Sequence, residues 1–337
     1  MSPFISVILP VRNGMPWLEE AVESILLQRT NAGMEMLVIN DGSDDDTNDY
    51  LASIRDERVR IVHFEEGRGI VNALNTGIAL ARGDYIARMD ADDVSMPDRL
   101  VIQQRFLEAN PEYGLVATDI EAFSHLSASG MEQQLIRIET WYNEGHSDDE
   151  LRAILPIGNP LNHPSVMFRK SVLAKVGGYR NHYEYAEDYD LFVRLSRITK
   201  MAKIPRKLLR YRVHPNQISS SRAEEQRKVD AEIKARLLID DYLPAGGKLL
   251  IWGAGGGGQK ICCALRNAGV NIVGFIDNNS RTWGTELCGV PVIGGEQAID
   301  LVGADYVVIA TSVGRSYAEQ YLSGKGLRKM DDYLAVW

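Results

Sequence analysis

Residues 69–93, GIVNALNTGIALARGDYIARMDADD, decide how the rest of the chain is read. The first half places apolar side chains at helical spacing over 70–81, and the second half, DYIARMD (84–90), reads as a short apolar strand. The strand runs into Asp90, Asp92 and Asp93, so carboxylates stand where open α/β sheets bind ligands, at the carboxyl end of a strand. Upstream, ISVILPV (5–11), EMLVIN (35–40) and RVRIVHF (58–64) read as further strands, with an amphipathic helix from Trp17 to Leu27. This βαβα order predicts a mixed, mostly parallel sheet with helices on both faces.

Downstream, 94–110 reads as helix and YGLVATDIEAF (113–123) as extended chain. Residues 125–165 carry little pattern beyond a helix near 148–155. AEDYDLFVRLSRI (186–198) reads as a helix with Leu191, Phe192, Leu195 and Ile198 on one side. A long polar helix at 221–242, followed by LPAGG (243–247), reads as a connector between domains. KLLIWGAGGGGQKICCALRNAG (248–269) then begins a second, smaller α/β unit, continued by NIVGFIDNN and DYVVIATS (305–312). The expected domains are 1–220, a helical connector at 221–247, and 248–337.

The 337 residues suit two domains, and a composition of 45% hydrophobic and 25% charged residues is that of a globular protein. A formal charge of −9 argues against a nucleic-acid partner, which needs a basic footprint. It leaves room for an anionic small substrate, because a bound cation reverses the local field. Cys262, Cys263 and Cys288 have no spacing of a zinc site or disulfide framework, so a reducing, cytoplasmic setting is the simpler expectation. No apolar run approaches the roughly 18 residues that span a bilayer. Any membrane contact is therefore expected to be peripheral, at the inner face.

Three neighbouring carboxylates repel one another unless a cation or proton intervenes. A hard divalent metal holding a diphosphate resolves this, since Mg²⁺ combines one or two carboxylates with phosphate oxygens. An acidic turn with Asp92 or Asp93 capping the next helix would also produce the triplet. Taken together and in order, ISVILPVRN, INDGSDDDT, GIVNALNTGIALARGDYIARMDADD and PDRL resemble the inverting family 2 glycosyltransferases of GT-A fold, over roughly residues 4–220.

The resemblance implies a nucleotide-sugar donor, UDP-linked by preference, held by Pro10, Arg12, Asn13, Asp41 and Ser43 with Asp90. Asp41 can accept a hydrogen bond from a base N–H. Asn72 and Asn75, three apart on one helical face, are expected to reach the same cleft. The metal, Mn²⁺ or Mg²⁺, would sit on Asp90 and Asp92. Similar enzymes carry a histidine after a late strand, which here is His214, and imidazole beside carboxylates favours manganese. Asp188 corresponds to the general base that deprotonates the acceptor hydroxyl, and Glu187 to a group that contacts or orients the acceptor. Both also suit the start of a helix electrostatically. His163, in GNPLNHPSVMF (158–168), reads as a structural hydrogen-bonder. The seven basic residues from Arg197 to Arg212 suit a solvated strand face, or contact with a diphosphate or an anionic, lipid-linked glycan acceptor.

In the C-terminal unit, Gly253, Gly255 and Gly258 form GxGxxG between a strand and a helix, and Asp277 ends the next strand 19 residues on. This is the arrangement of a dinucleotide or ribose site. It resembles the small Rossmann-like domain of some sugar-modifying enzymes and implies a second nucleotide or nucleotide-sugar. Glycines that only allow close helix–strand packing would look the same. Two other readings remain at this level: an NAD(P)-dependent oxidoreductase built on the C-terminal site, and a non-catalytic nucleotide-sugar-binding protein.

Overall fold

A computed structural model describes residues 4–30, 33–126 and 129–337; the first three residues of the N-terminal segment and 127–128 of the 125–165 stretch lie outside them. The elements in chain order are β1 Ile5–Val11, α1 Leu18–Leu26, β2 Met34–Asp41, α2 Thr47–Ser53, β3 Val59–Phe64, α3 Ile70–Leu80, β4 Tyr85–Arg88, β5 Val94–Ser95, α4 Arg99–Ala109, β6 Tyr113–Phe123, α5 Met131–Tyr142, α6 Asp148–Ile154, β7 Met167–Arg169, α7 Lys170–Val176, α8 Glu187–Ser196, β8 Lys200–Arg212 and α9 Ile218–Ser221. There follow α10 Ala223–Asp241, β9 Lys248–Trp252, α11 Gly256–Asn267, β10 Asn271–Ile276, β11 Glu286–Leu287, β12 Val290–Gly294, α12 Ile299–Val302, β13 Tyr306–Ile309, α13 Arg315–Gly324 and β14 Tyr333–Ala335. The chain divides into two compact units, one holding the chain up to Ala153 with Asn159–Ala223, the other Ile154–Gly158 with Glu224–Trp337.

In the first unit eight strands form one sheet in the order β3-β2-β1-β4-β7-β6-β8-β5. β1 and β2 are buried along their whole length, as near-continuous apolar runs are when both faces of a parallel sheet are covered. α3 packs on both. Gly77 permits this approach, because a Cβ there would lie 2.5 Å from Ile8 Cγ2. β1, β2, β3 and β4 run parallel, β7 is antiparallel to both β4 and β6, and β6 pairs parallel with β8. Two reversals restore the direction, so β1, β2, β4, β6 and β8 all end at the same edge of the sheet.

Several expectations change. The helix expected over 94–110 starts only at Arg99, because Val94 and Ser95 pair antiparallel with Arg210 and Leu209. α8 ends at Ser196, which leaves Ile198 47% exposed rather than on the buried face. The polar helix is not a free connector: α10 buries Ala235 and Leu238 in the core of the second unit with Leu249, Ile251 and Ile261. Within Arg197–Arg212, Lys203 is buried and donates to Glu144 O (2.7 Å), while Lys207 pairs with Glu139 (2.7 Å).

The second unit has a six-stranded sheet, β11-β12-β10-β9-β13-β14, parallel except for the edge strand β11. Cysteine spacing predicted no pairing, and the thiols are free, but Cys263 and Cys288 bring their Sγ atoms to 2.9 Å. Among the described residues no helix is long and apolar enough to cross a membrane.

Candidate active site

The carboxyl ends of five strands converge on one cavity of about 580 Å³, within the usual ~300–1,000 Å³ of ligand pockets. Pro10–Asn13 come from β1, Asp41 from β2, Asp90–Asp92 from β4, Ser124 and His125 from β6, and Arg212–His214 from β8. Gly69, Ile70 and Ala73 of the α3 start and Glu184–Tyr185 before α8 complete the part of the wall that concerns the chemistry.

The acidic triplet divides its work. Asp92 Oδ2 lies 2.9 Å from His214 Nε2, a contact across 122 residues that exists because β4 and β8 end side by side in space. Asp90 is paired with Arg88 Nη2 at 2.5 Å. Burial pushes the Asp90 carboxyl up, Arg88 pulls it down, and the Asp92 charge raises it again. Asp93 is fully buried and does not line the cavity: its Oδ1 accepts from Arg212 N (2.8 Å), tying the loop after β4 to β8. Oxygens of all three carboxylates lie within 4.8 Å of one another. Asp90, Asp92 and His214 are thus cavity-lining oxygen and nitrogen donors in one place, a set that fits a divalent cation of the manganese type.

Arg212, 1% exposed at its side chain, fixes this corner. Its Nε donates to Asp92 O (2.6 Å), Nη2 pairs with Glu20, and the guanidinium lies between the rings of Trp17 (4.3 Å) and Phe123 (4.5 Å). Trp17 stacks on His125 with centroids 5.3 Å apart. Nothing in the spacing of the sequence marks Trp17, His125 or Tyr185 as cavity residues. Each depends on where a loop turns, and Tyr185 does so with φ of +76°.

The residues expected around the nucleotide separate into two groups. Pro10, Arg12, Asn13 and Asp41 line the cavity. Asp41 also accepts from Arg68 N (2.6 Å) and Gly69 N (3.0 Å), which holds the loop before α3. Asn13 exchanges hydrogen bonds with Asp44, donating through Nδ2 (2.7 Å) and accepting at Oδ1 (2.9 Å). Ser43 receives Asn13 N (2.9 Å) and donates to Asn40 Oδ1 (2.7 Å), so it braces the β1 and β2 ends instead of facing the cavity. Asn72 and Asn75 do not line the cavity either. Asn72 bonds back to Arg68 O, and both amide atoms of Asn75 are engaged by the Tyr179 backbone at 2.9 Å each. The helical face that meets the cleft is that of Ile70 and Ala73.

Glu187 and Asp188 open α8. Asp188 Oδ2 accepts from Asn159 Nδ2 (2.8 Å) and Oδ1 from Tyr189 N (2.7 Å), which fixes the plane of the carboxylate. Glu187 is 5% exposed; burial first and the neighbouring Asp188 charge second push its carboxyl up to about 8, so it is protonated at neutral pH. Arg88 and Asp90 also act on it electrostatically, which joins the α8 start to the β4 end in one polar cluster. His163 bonds to Tyr179 Oη (2.7 Å), and burial, helped by the Arg88 charge, holds it neutral, well below the ordinary histidine range. A neutral buried imidazole with a hydroxyl partner is structural.

In the C-terminal unit the glycines sit at the carboxyl end of β9, beside Asp277 at the end of β10. A Cβ on Gly258 would lie 1.9 Å from Gly253 O, and Gly253 itself has φ of +113°. Gly255 has open space. Asp277 accepts from Ala254 N (2.7 Å) through Oδ2 and from Asn279 N (2.8 Å) through Oδ1. The Trp337 indole packs over Gly257, within 2.8 Å of where a Cβ would stand. The motif therefore serves packing in this form, with its acidic residue engaged by its own loops.

The family pattern "Glycosyl transferase family 2" matches residues 6–177, and "C2185-like, N-terminal" matches 246–321. An uncharacterized glycosyltransferase of Haemophilus influenzae is 32% identical over 241 residues, covering 69% of this chain and 72% of its own. The amylovoran biosynthesis glycosyltransferase AmsE of Erwinia amylovora is 27% identical over 219 residues, covering 64% of this chain and 78% of its own. Among solved structures, S. aureus TarS 1-349 in complex with UDP-GlcNAc superposes with a TM-score of 0.57 at 15% identity, over 78% of this chain and 71% of that one. That likeness is one of fold.

Proposed function

This chain belongs to glycosyltransferase family 2, and from that premise we propose that its first unit moves a sugar from a nucleoside diphosphate donor, UDP-linked by preference, to an acceptor hydroxyl with inversion. The observation that carries this reading is the meeting of Asp92 and His214 in a cavity whose other walls hold Pro10, Arg12, Asn13 and Asp41. Arg12 and the backbone around Asn13 would face the nucleotide, with Asp41 at the base. Asp90, Asp92 and His214 would hold Mn²⁺ or Mg²⁺. When bound, such an ion supplies Lewis-acid neutralisation of the diphosphate.

Asp188 takes the proton of the acceptor hydroxyl as its oxygen bonds to the anomeric carbon and the bond to the diphosphate breaks. Asn159 and Tyr189 N keep that carboxylate aimed, so little orientation is lost at the moment of transfer. Glu187, protonated at neutral pH, would donate a hydrogen bond to the acceptor instead of adding a second negative charge. The amylovoran relative supports polysaccharide synthesis as the setting, with a glycan or lipid-linked acceptor at the cytoplasmic side. For the C-terminal unit, a Rossmann-like nucleotide or nucleotide-sugar site would require Trp337 and Asp277 to change partners.

The test is a thermal-shift panel of UDP, GDP, dTDP and NAD, each with and without Mn²⁺. A ligand that binds only the native state raises the melting temperature by mass action. A metal-dependent shift with one nucleoside diphosphate, absent in Asp92→Ala, is expected. A metal-independent shift with NAD alone would overturn the reading and move the chemistry to the C-terminal unit.

A further inference from the structure

Arg88, the last residue of β4, is the charged group least accounted for by a transferase site. Its side chain is 3% exposed. Its backbone is held at both ends: the N–H donates to Val166 O (3.0 Å), and the carbonyl accepts from Arg99 Nη1 (3.1 Å). The guanidinium gives Nη2 to Asp90 Oδ1, but among the described residues Nε and Nη1 have no hydrogen-bond partner although they are buried. Glu187 is in the same condition, with Oε2 buried and without a partner. The electrostatic reach of Arg88 extends to both carboxyl groups.

We propose that Arg88 is a positioning residue with two stations: it holds Asp90 while no cation is bound and turns to Glu187 when a divalent metal takes Asp90. The proposal rests on reading Asp90 as a metal ligand. A buried guanidinium needs a counter-charge wherever it stands, and a divalent ion at Asp90 would repel it. With the backbone fixed, only the side chain can answer. Glu187 supplies the second station, and Asp188 is its neighbour in the chain. Loading of donor and metal would thus order the acceptor-side carboxyl groups, so that the base is completed only when there is a sugar to transfer.

The test is a calorimetric titration of Mn²⁺ into the full chain without donor. Arg88→Met removes the competing cation and is expected to bind Mn²⁺ at least tenfold more tightly than the wild type. Equal or weaker binding in the variant, with clear binding by the wild type, overturns the Arg88 proposal alone. If neither binds Mn²⁺, with or without UDP, the metal reading fails and takes this proposal with it. Should Arg88→Met not fold, a crystal structure of the wild type with Mn²⁺ and UDP decides. Arg88 bonded to Glu187 and out of reach of Asp90 supports the two stations; Arg88 still on Asp90 overturns them.

Discussion

At the carboxyl end of β4, Asp90 and Asp92 face a cavity, and their partners are side chains from other strands. At the carboxyl end of β10, Asp277 is engaged by the backbone amides of Ala254 and Asn279. Both positions obey the rule that parallel sheets present polar groups at their strand ends. What differs is whether the loops nearby satisfy those groups. In the first unit five strand ends leave a gap that loops do not fill. In the second, the glycines let α11 close directly onto β9, and the Trp337 ring lies against the loop. A strand-end carboxylate thus becomes a site only where packing leaves it capacity to bind.

The largest expected effect lies on the catalytic side of that difference. Asp188→Asn should lower turnover by about 10²–10⁴-fold, the usual worth of a general base. The metal-dependent thermal shift with UDP should persist, because the nucleotide walls are elsewhere. Turnover within threefold of the wild type would remove Asp188 from the mechanism.

On the other side, Gly258→Ala forces a Cβ against the Gly253 carbonyl and should cost about 3 kcal/mol. Gly255→Ala meets open space and should stay within ~0.5 kcal/mol. Hydrogen exchange of the β9 and α11 amides would read both. Equal effects from the two variants would mean that the loop is not a packing device, and the contrast between the units would collapse.

The smallest effect is a slope. The Glu187 carboxyl sits at about 8 in the folded protein against an ordinary 4.5. Between those values the native state keeps a proton that the unfolded chain has lost, so this group's contribution to stability falls as pH rises through the window. Glu187→Gln should remove that fall. Denaturation of both proteins, metal-free, across pH 5–8.5 would show curves that diverge in favour of the variant as pH rises. Parallel curves would place Glu187 in a wetter, ordinary environment.

The strands of the first unit were legible because β1, β2 and β4 are apolar runs bounded by turn residues, and burial of such runs leaves few alternatives. Asp90 and Asp92 were legible as a pair because they follow a strand directly. Asn72 and Asn75 misled for a related reason: periodicity places residues on a helix face but does not say which neighbour that face meets. Asn75 meets the backbone of Tyr179, 104 residues away in the chain. The polar pattern of α10 hid a buried edge, since its Lys234 is itself buried and donates to Val336 O (2.9 Å).

Local composition and order by themselves determined which segments are strands, that two α/β units follow one another, and that acidic residues cap the end of a central strand. Those features depend on apolar spacing and turn chemistry within a few residues. Only the tertiary structure decided that His214 reaches Asp92, that Asp93 is a brace, that Arg88 stands buried between two carboxyl groups, and that Asp277 is occupied. Each of these rests on strand direction and loop closure across tens to hundreds of residues, where satisfying a buried charge selects its partner and sequence proximity does not.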